Sequence, residues 1–256
     1  MFDRVSEKMT ARSAALLLTL DNRLDRILMW WLLVAGAASI ARIALTPHSF
    51  AVAEFSTFAS YMLLVVAPFA STLLALHWFR DGDGQPQPAV RLARIGRWQP
   101  LRAAEAKRHR LYGTSGIMVS LLVGMMLNVP VRAAEYFAAM APMPQVAPEW
   151  LSVLHFSMTF DAVVFSSLYM IAFVAALRRV PLFPRLLVAI WVGDLAMQLV
   201  TAQLVAGTHV PATVAGALET LLTGNVKKVL ISMALWLPYL LLSTRVNVTY
   251  RHRVPA

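Results

Sequence analysis

Long apolar stretches dominate the chain, and short polar or basic stretches separate them. Six of these are long enough to cross roughly 30 Å of hydrocarbon as helices. They fall at about 27–46, 53–79, 111–129, 151–177, 184–206 and 226–244. Ahead of them, residues 1–24 carry Arg4, Lys8 and Arg12 at helical spacing on one side and Phe2, Val5, Met9, Leu16 and Leu20 on another. That pattern predicts an amphipathic helix lying on the membrane surface. A cleavable leader does not fit, because Asp21-Asn22-Arg23 stands where small residues would be needed. The predicted fold is an all-α integral membrane bundle of six transmembrane helices with an N-terminal interfacial helix. Its predicted parts are a surface helix (1–26), a two-helix hairpin (27–80), a basic linker (81–110) and a four-helix unit (111–256).

Composition supports lipid as the main solvent. Hydrophobic residues make up 59% of the chain and charged residues 14%, against about 45–50% and 25% in soluble domains. The net charge of +10 is explained by where the charges lie. Nineteen Lys and Arg fall on the side of the termini, the 80–110 linker and the 178–185 turn, and only Arg42, Arg132, Lys227 and Lys228 fall on the other. The positive-inside rule then puts both termini in the cytoplasm. The linker's basic part predicts contact with anionic headgroups, and nucleic acid is not needed to account for it. The acidic run opening the linker has Leu92 where a calcium loop needs a bidentate Glu. There is no cysteine, no paired-histidine motif, no phosphate-binding glycine loop and no nucleophile elbow. No cofactor or metal is expected, and enzyme chemistry is not favoured.

Two carboxylates stand out. Asp161 lies ten residues into the fourth stretch and Asp194 ten residues into the fifth. In antiparallel neighbours both then lie about 15 Å deep. A bare charge at that depth costs about 2.5–3.5 kcal/mol on insertion scales, so both should face the bundle interior. Asp194, Gln198 and Thr201 form one stripe at helical spacing, and His155 lies nearer the outer end than Asp161. The expected partners of the two carboxylates are each other, through a proton or water, or a cation reaching down from Arg132 or Lys228. Such a group serves either a proton or cation pathway or the packing of helices. A second set of charges, Arg42, Glu54, Arg132, Glu135, Lys227 and Lys228, is expected near the outer ends of the spans. It would form either the rim of a vestibule or snorkelling anchors with local pairs such as Arg132–Glu135.

The C-terminal half carries a family likeness. Trp236, Pro238-Tyr239 and Ser243-Thr244-Arg245-Val246-Asn247-Val248-Thr249-Tyr250, with Phe183-Pro184 between Arg179 and Arg185, make residues 111–251 resemble the domain of unknown function 2569 (DUF2569) family of bacterial inner-membrane proteins. Thr244 stands where that family usually has Lys. The resemblance implies a four-helix unit with both ends inside and implies no activity. Three functions fit the sequence. The first is a membrane accessory protein holding a lipid or a membrane protein partner, without chemistry of its own. The second is a small proton-coupled transporter using Asp161 and Asp194. The third is a lipid-modifying enzyme, which needs His155, Glu135 or Asp161 to converge on an outer pocket.

Overall fold

The computed structural model describes residues 2–46, 55–89, 95–144 and 146–256, with the backbone alone for 2–11 and 55–57. Among them the chain forms α1 (Phe2–Ala44), α2 (Phe55–Trp78), α3 (Ala103–Arg108), α4 (Met118–Ala139), α5 (Glu149–Leu177), α6 (Phe183–Ala206), α7 (Ala212–Leu242) and α8 (Thr244–Arg251). Two short strands, β1 (Trp98–Pro100) and β2 (Arg253–Pro255), pair antiparallel. The molecule is a mainly helical bundle, and six of its helices are long and apolar enough to cross a membrane.

The helix bounds differ from expectation in three places. The surface helix and the first span are one helix of 43 residues, about 65 Å long. Asp21 to Arg26 contains neither Gly nor Pro, so nothing there stops the hydrogen-bond ladder. The extension runs on past the span instead of turning away from it. Ser13 accepts a hydrogen bond from the Gly116 amide, and Asp21 pairs with Arg178 at 3.3 Å. The third span lies further along the chain than predicted, because α4 runs through Pro130 to Ala139. In lipid, a helix tolerates an interior proline when its neighbours cover the freed groups. The sixth span begins at Ala212, ahead of its polar Gly216, Thr220 and Thr223. Thr220 there returns its hydroxyl to the Gly216 carbonyl, which lowers the cost of a polar residue in a helix facing lipid.

The long α5 is the axis of the bundle. Within its most apolar window 61% of residues are buried, against 11% in α7, which lies at the edge. Phe165, Tyr169 and Phe173 of α5 join Met118, Leu122 and Met125 of α4 and Leu187 and Trp191 of α6 in the main core. Within the α1–α2 hairpin, α2 packs along α5. Tyr61 and Leu64 of α2 are buried with Tyr136 and Leu154 in a second core. Trp31 of α1 donates to the Val65 carbonyl at 2.9 Å, beside the stretch of α2 that Pro68 deprives of a backbone donor.

The linker is also tied down. Trp98–Pro100 pairs with the C-terminal strand, and Asp83 takes an ion pair from Lys107 at 2.9 Å and a hydrogen bond from Tyr112. Gly82 is buried so tightly that a Cβ would come within 2.7 Å of the Arg178 carbonyl oxygen. Val90, Arg91 and Arg94, part of the predicted headgroup contact, lie outside the described residues.

Candidate functional site: an arginine between two buried aspartates

Three consecutive long helices bring one charged group each to the same point. Arg132 of α4 gives Nη1 to Asp161 Oδ2 of α5 and Nη2 to Asp194 Oδ2 of α6, each at 2.5 Å. Only a forked, planar cation spans two carboxylates in this way, and a lysine ammonium would not hold both in fixed geometry. Each partner is held in turn. Arg132 Nε donates to Asn128 Oδ1 at 3.2 Å, one helical turn back along α4. Gln198 Nε2 donates to Asp161 Oδ1 at 2.9 Å, and the Tyr169 hydroxyl donates to Asp194 Oδ2 at 3.2 Å. Asn225 of α7 reaches Gln198 Oε1 at 3.5 Å.

The local sequence explains the convergence. Asp161, Phe165 and Tyr169 recur every four residues and so share one face of α5. The guanidinium lies 5.3 Å from the centre of the Phe165 ring and 5.9 Å from that of Tyr169, close enough for both π faces to attract it. On α6, Asp194, Gln198 and Thr201 are all buried. Asp194 is fully so, and its Oδ1 has no hydrogen-bond partner among the described residues.

Beside the triad lies a cavity of about 60 Å³ between α4 and α7, bounded by Asn128, Arg132, Glu135, Asp194, Asn225 and Lys228. It has room for water. Lys228 pairs with Glu135 across its mouth, the one ion pair joining α4 and α7 among the described residues.

Of the six charges expected near the outer ends, Arg132, Glu135 and Lys228 border this cavity. Arg132 is the hub of the buried triad, and Glu135 pairs with Lys228 and not with Arg132. Because α7 starts at Ala212, Lys228 stands sixteen residues, about 24 Å, along it rather than at its outer end. Lys227 is exposed on the same helix. Arg42 lies beside the Tyr61 hydroxyl near the end of α1, and Glu54 lies outside the described residues.

His155 does not join the carboxylates. Its Nε2 is 3.2 Å from the Tyr136 hydroxyl, which also meets Thr159 at 2.9 Å. His155, Glu135 and Asp161 thus have three separate sets of partners among the described residues. Sequence reasoning missed Asn128, Tyr169 and Asn225. The helical spacing of Asn128 from Arg132 and of Tyr169 from Asp161 is the signal that could have found the first two.

Neither a family model, nor a curated protein, nor a solved structure matches this chain.

Proposed function

We propose that the chain is a small proton-coupled carrier whose proton site is the Asp161–Arg132–Asp194 triad. The charge count carries this reading: two carboxylates meet one guanidinium. The neighbouring Glu135–Lys228 pair is neutral and does not offset the excess. One proton, or a cation of similar charge, balances the group. A carboxylate oxygen without a donor at Asp194 marks a place for it. The polar cavity beside it suits water and a proton. Taking in a solute requires α4 and α7 to part, which means breaking Glu135–Lys228.

The test is proton movement into liposomes holding the purified chain, followed with a trapped pH dye under an imposed gradient. Asp161→Asn and Asp194→Asn should each abolish it. Flux unchanged in both variants would sink the carrier reading. It would leave the accessory function, which one observation favours: α7 buries little of its length and carries the exposed Lys227, a surface suited to a membrane protein partner or a lipid.

We place the protein in a bacterial inner membrane with both termini cytoplasmic. The arginine-rich end carries β2 and α8 with the linker and the start of α1, in keeping with the positive-inside rule. The likeness of 111–251 to the DUF2569 family belongs to this proposal, and the four long helices α4 to α7 in that stretch support it. A cysteine placed at position 144 or 209 should react with an impermeant reagent added outside intact cells, and one at 85 or 254 should not. The opposite pattern would invert the topology.

A further inference from the structure

A cavity of about 340 Å³ lies between α2 and α5, within the roughly 300–1,000 Å³ of small-molecule pockets. Ser60 and Leu63 of α2 form one wall, and α5 forms the other with His155, Thr159 and apolar neighbours from Phe156 to Val164. At helical spacing these α5 residues share one face, opposite the face that carries Asp161, Phe165 and Tyr169. The cavity is therefore separate from the triad and from the carrier reading. His155 and Val164 stand about 9 and 22 Å along α5, which puts the cavity at hydrocarbon depth. Leu63, Phe156 and Phe160 are exposed, so it opens sideways to lipid.

His155 is the unusual member of this wall, at 8% exposure. Its Nε2 is held by the Tyr136 hydroxyl, which also meets Thr159. Its other ring nitrogen, Nδ1, has no hydrogen-bond partner among the described residues. A polar atom left unpaired in an apolar setting costs free energy, and hydrocarbon cannot satisfy it. A molecule that does so needs one polar end on an apolar body. It also needs to be uncharged, since none of the described lining residues is Lys, Arg, Asp or Glu. The Phe156 and Phe160 rings, 6.2 Å apart and inclined at 31°, add aromatic surface for a flat ring.

We propose that this cavity binds the ring of a membrane-soluble quinone or its quinol, with a ring oxygen on His155 Nδ1 and the tail in lipid. A quinone carbonyl accepts a hydrogen bond from Nδ1–H, and a quinol hydroxyl donates one to a bare Nδ1. The pair thus satisfies either tautomer of the imidazole.

The test is photolabelling of the full chain in phosphatidylcholine nanodiscs with an azido derivative of decylubiquinone, the labelled peptides being mapped by mass spectrometry. The label should fall within 60–63 or 155–164. Decylubiquinone or decylubiquinol should compete for it, and dodecylbenzene, which has a ring and a tail but no oxygen, should not. His155→Leu should weaken the competition about tenfold, the loss of one hydrogen bond. That variant also takes a partner from Tyr136, so Val163→Trp provides a second arm. It fills the cavity, removes no side-chain hydrogen bond and should abolish the labelling. Thr220→Val, at an exposed site on α7, should leave labelling unchanged. Labelling elsewhere, equal competition by dodecylbenzene, His155→Leu binding like the wild type, or full labelling of Val163→Trp overturns the site. Labelling in detergent that disappears in the nanodiscs gives the cavity to phospholipid ester carbonyls and overturns the quinone assignment.

Discussion

Arg132→Leu should destabilise the bundle by about 3–5 kcal/mol, because it leaves two buried carboxylates facing each other without a cation. The measurement is thermal or denaturant unfolding in detergent, with helical signal as the readout. The same substitution combined with Asp161→Asn and Asp194→Leu should recover most of the loss, since the uncompensated charge is gone and not merely unpaired. The expected sign follows from burial: Asp194 is fully enclosed and the Arg132 side chain is 12% exposed, so solvent does little to screen either. An Arg132→Leu protein that unfolds with the wild type would show that the triad does not hold α4, α5 and α6 together.

Asn247→Ala should cost on the order of 3 kcal/mol, the second largest effect, through groups that lose their partners. Asn247 is fully buried. Its amide donates to the Leu241 and Ser243 carbonyls at 3.1 and 3.0 Å, closing the end of α7, while its oxygen receives Arg251 and Arg253. Alanine satisfies none of the four. Asn247→Asp keeps the acceptor, adds a countercharge between two arginines and loses only the donor, so it should melt between the alanine variant and the wild type. If Asp proves worse than Ala, the arginines do not need an anion there.

The long helices were legible because a run of apolar residues that outlasts the bilayer has few other folds available. Their bounds were less so. Pro130 reads as a stop, and Gly216, Thr220 and Thr223 read as a loop, yet lipid forces the backbone to close its own hydrogen bonds and both helices run on. The continuity of α1 was missed for the opposite reason, since its charged stretch suggests a bend but contains no residue that makes one. In the site, Asp161 and Asp194 were legible from depth alone. Arg132 was named as a partner but placed at the rim, because the third span was ended too early. Tyr169, Asn128 and Asn225 could not be ranked above other polar residues without knowing which faces meet. The pairing of Trp98–Pro100 with the chain's end joins segments far apart in sequence, and no local pattern announces it.

The three charges of the triad come from three spans made one after another, and this bears on how the protein enters the membrane. As each span leaves the ribosome alone, its charge adds about 2.5–3.5 kcal/mol to the cost of entering lipid if it lies near the helix centre. The first, α4, is the worst placed. It carries Arg132, Glu135 and Pro130 and has a mean hydropathy of 1.3, against 2.0 for α5. Its charge is answered only when Asp161 arrives with α5, and Glu135 must wait for Lys228 on α7. The insertion machinery must therefore shelter α4 until its partners arrive, and a chain cut short after α4 would present an unneutralised arginine to the cell's membrane proteases.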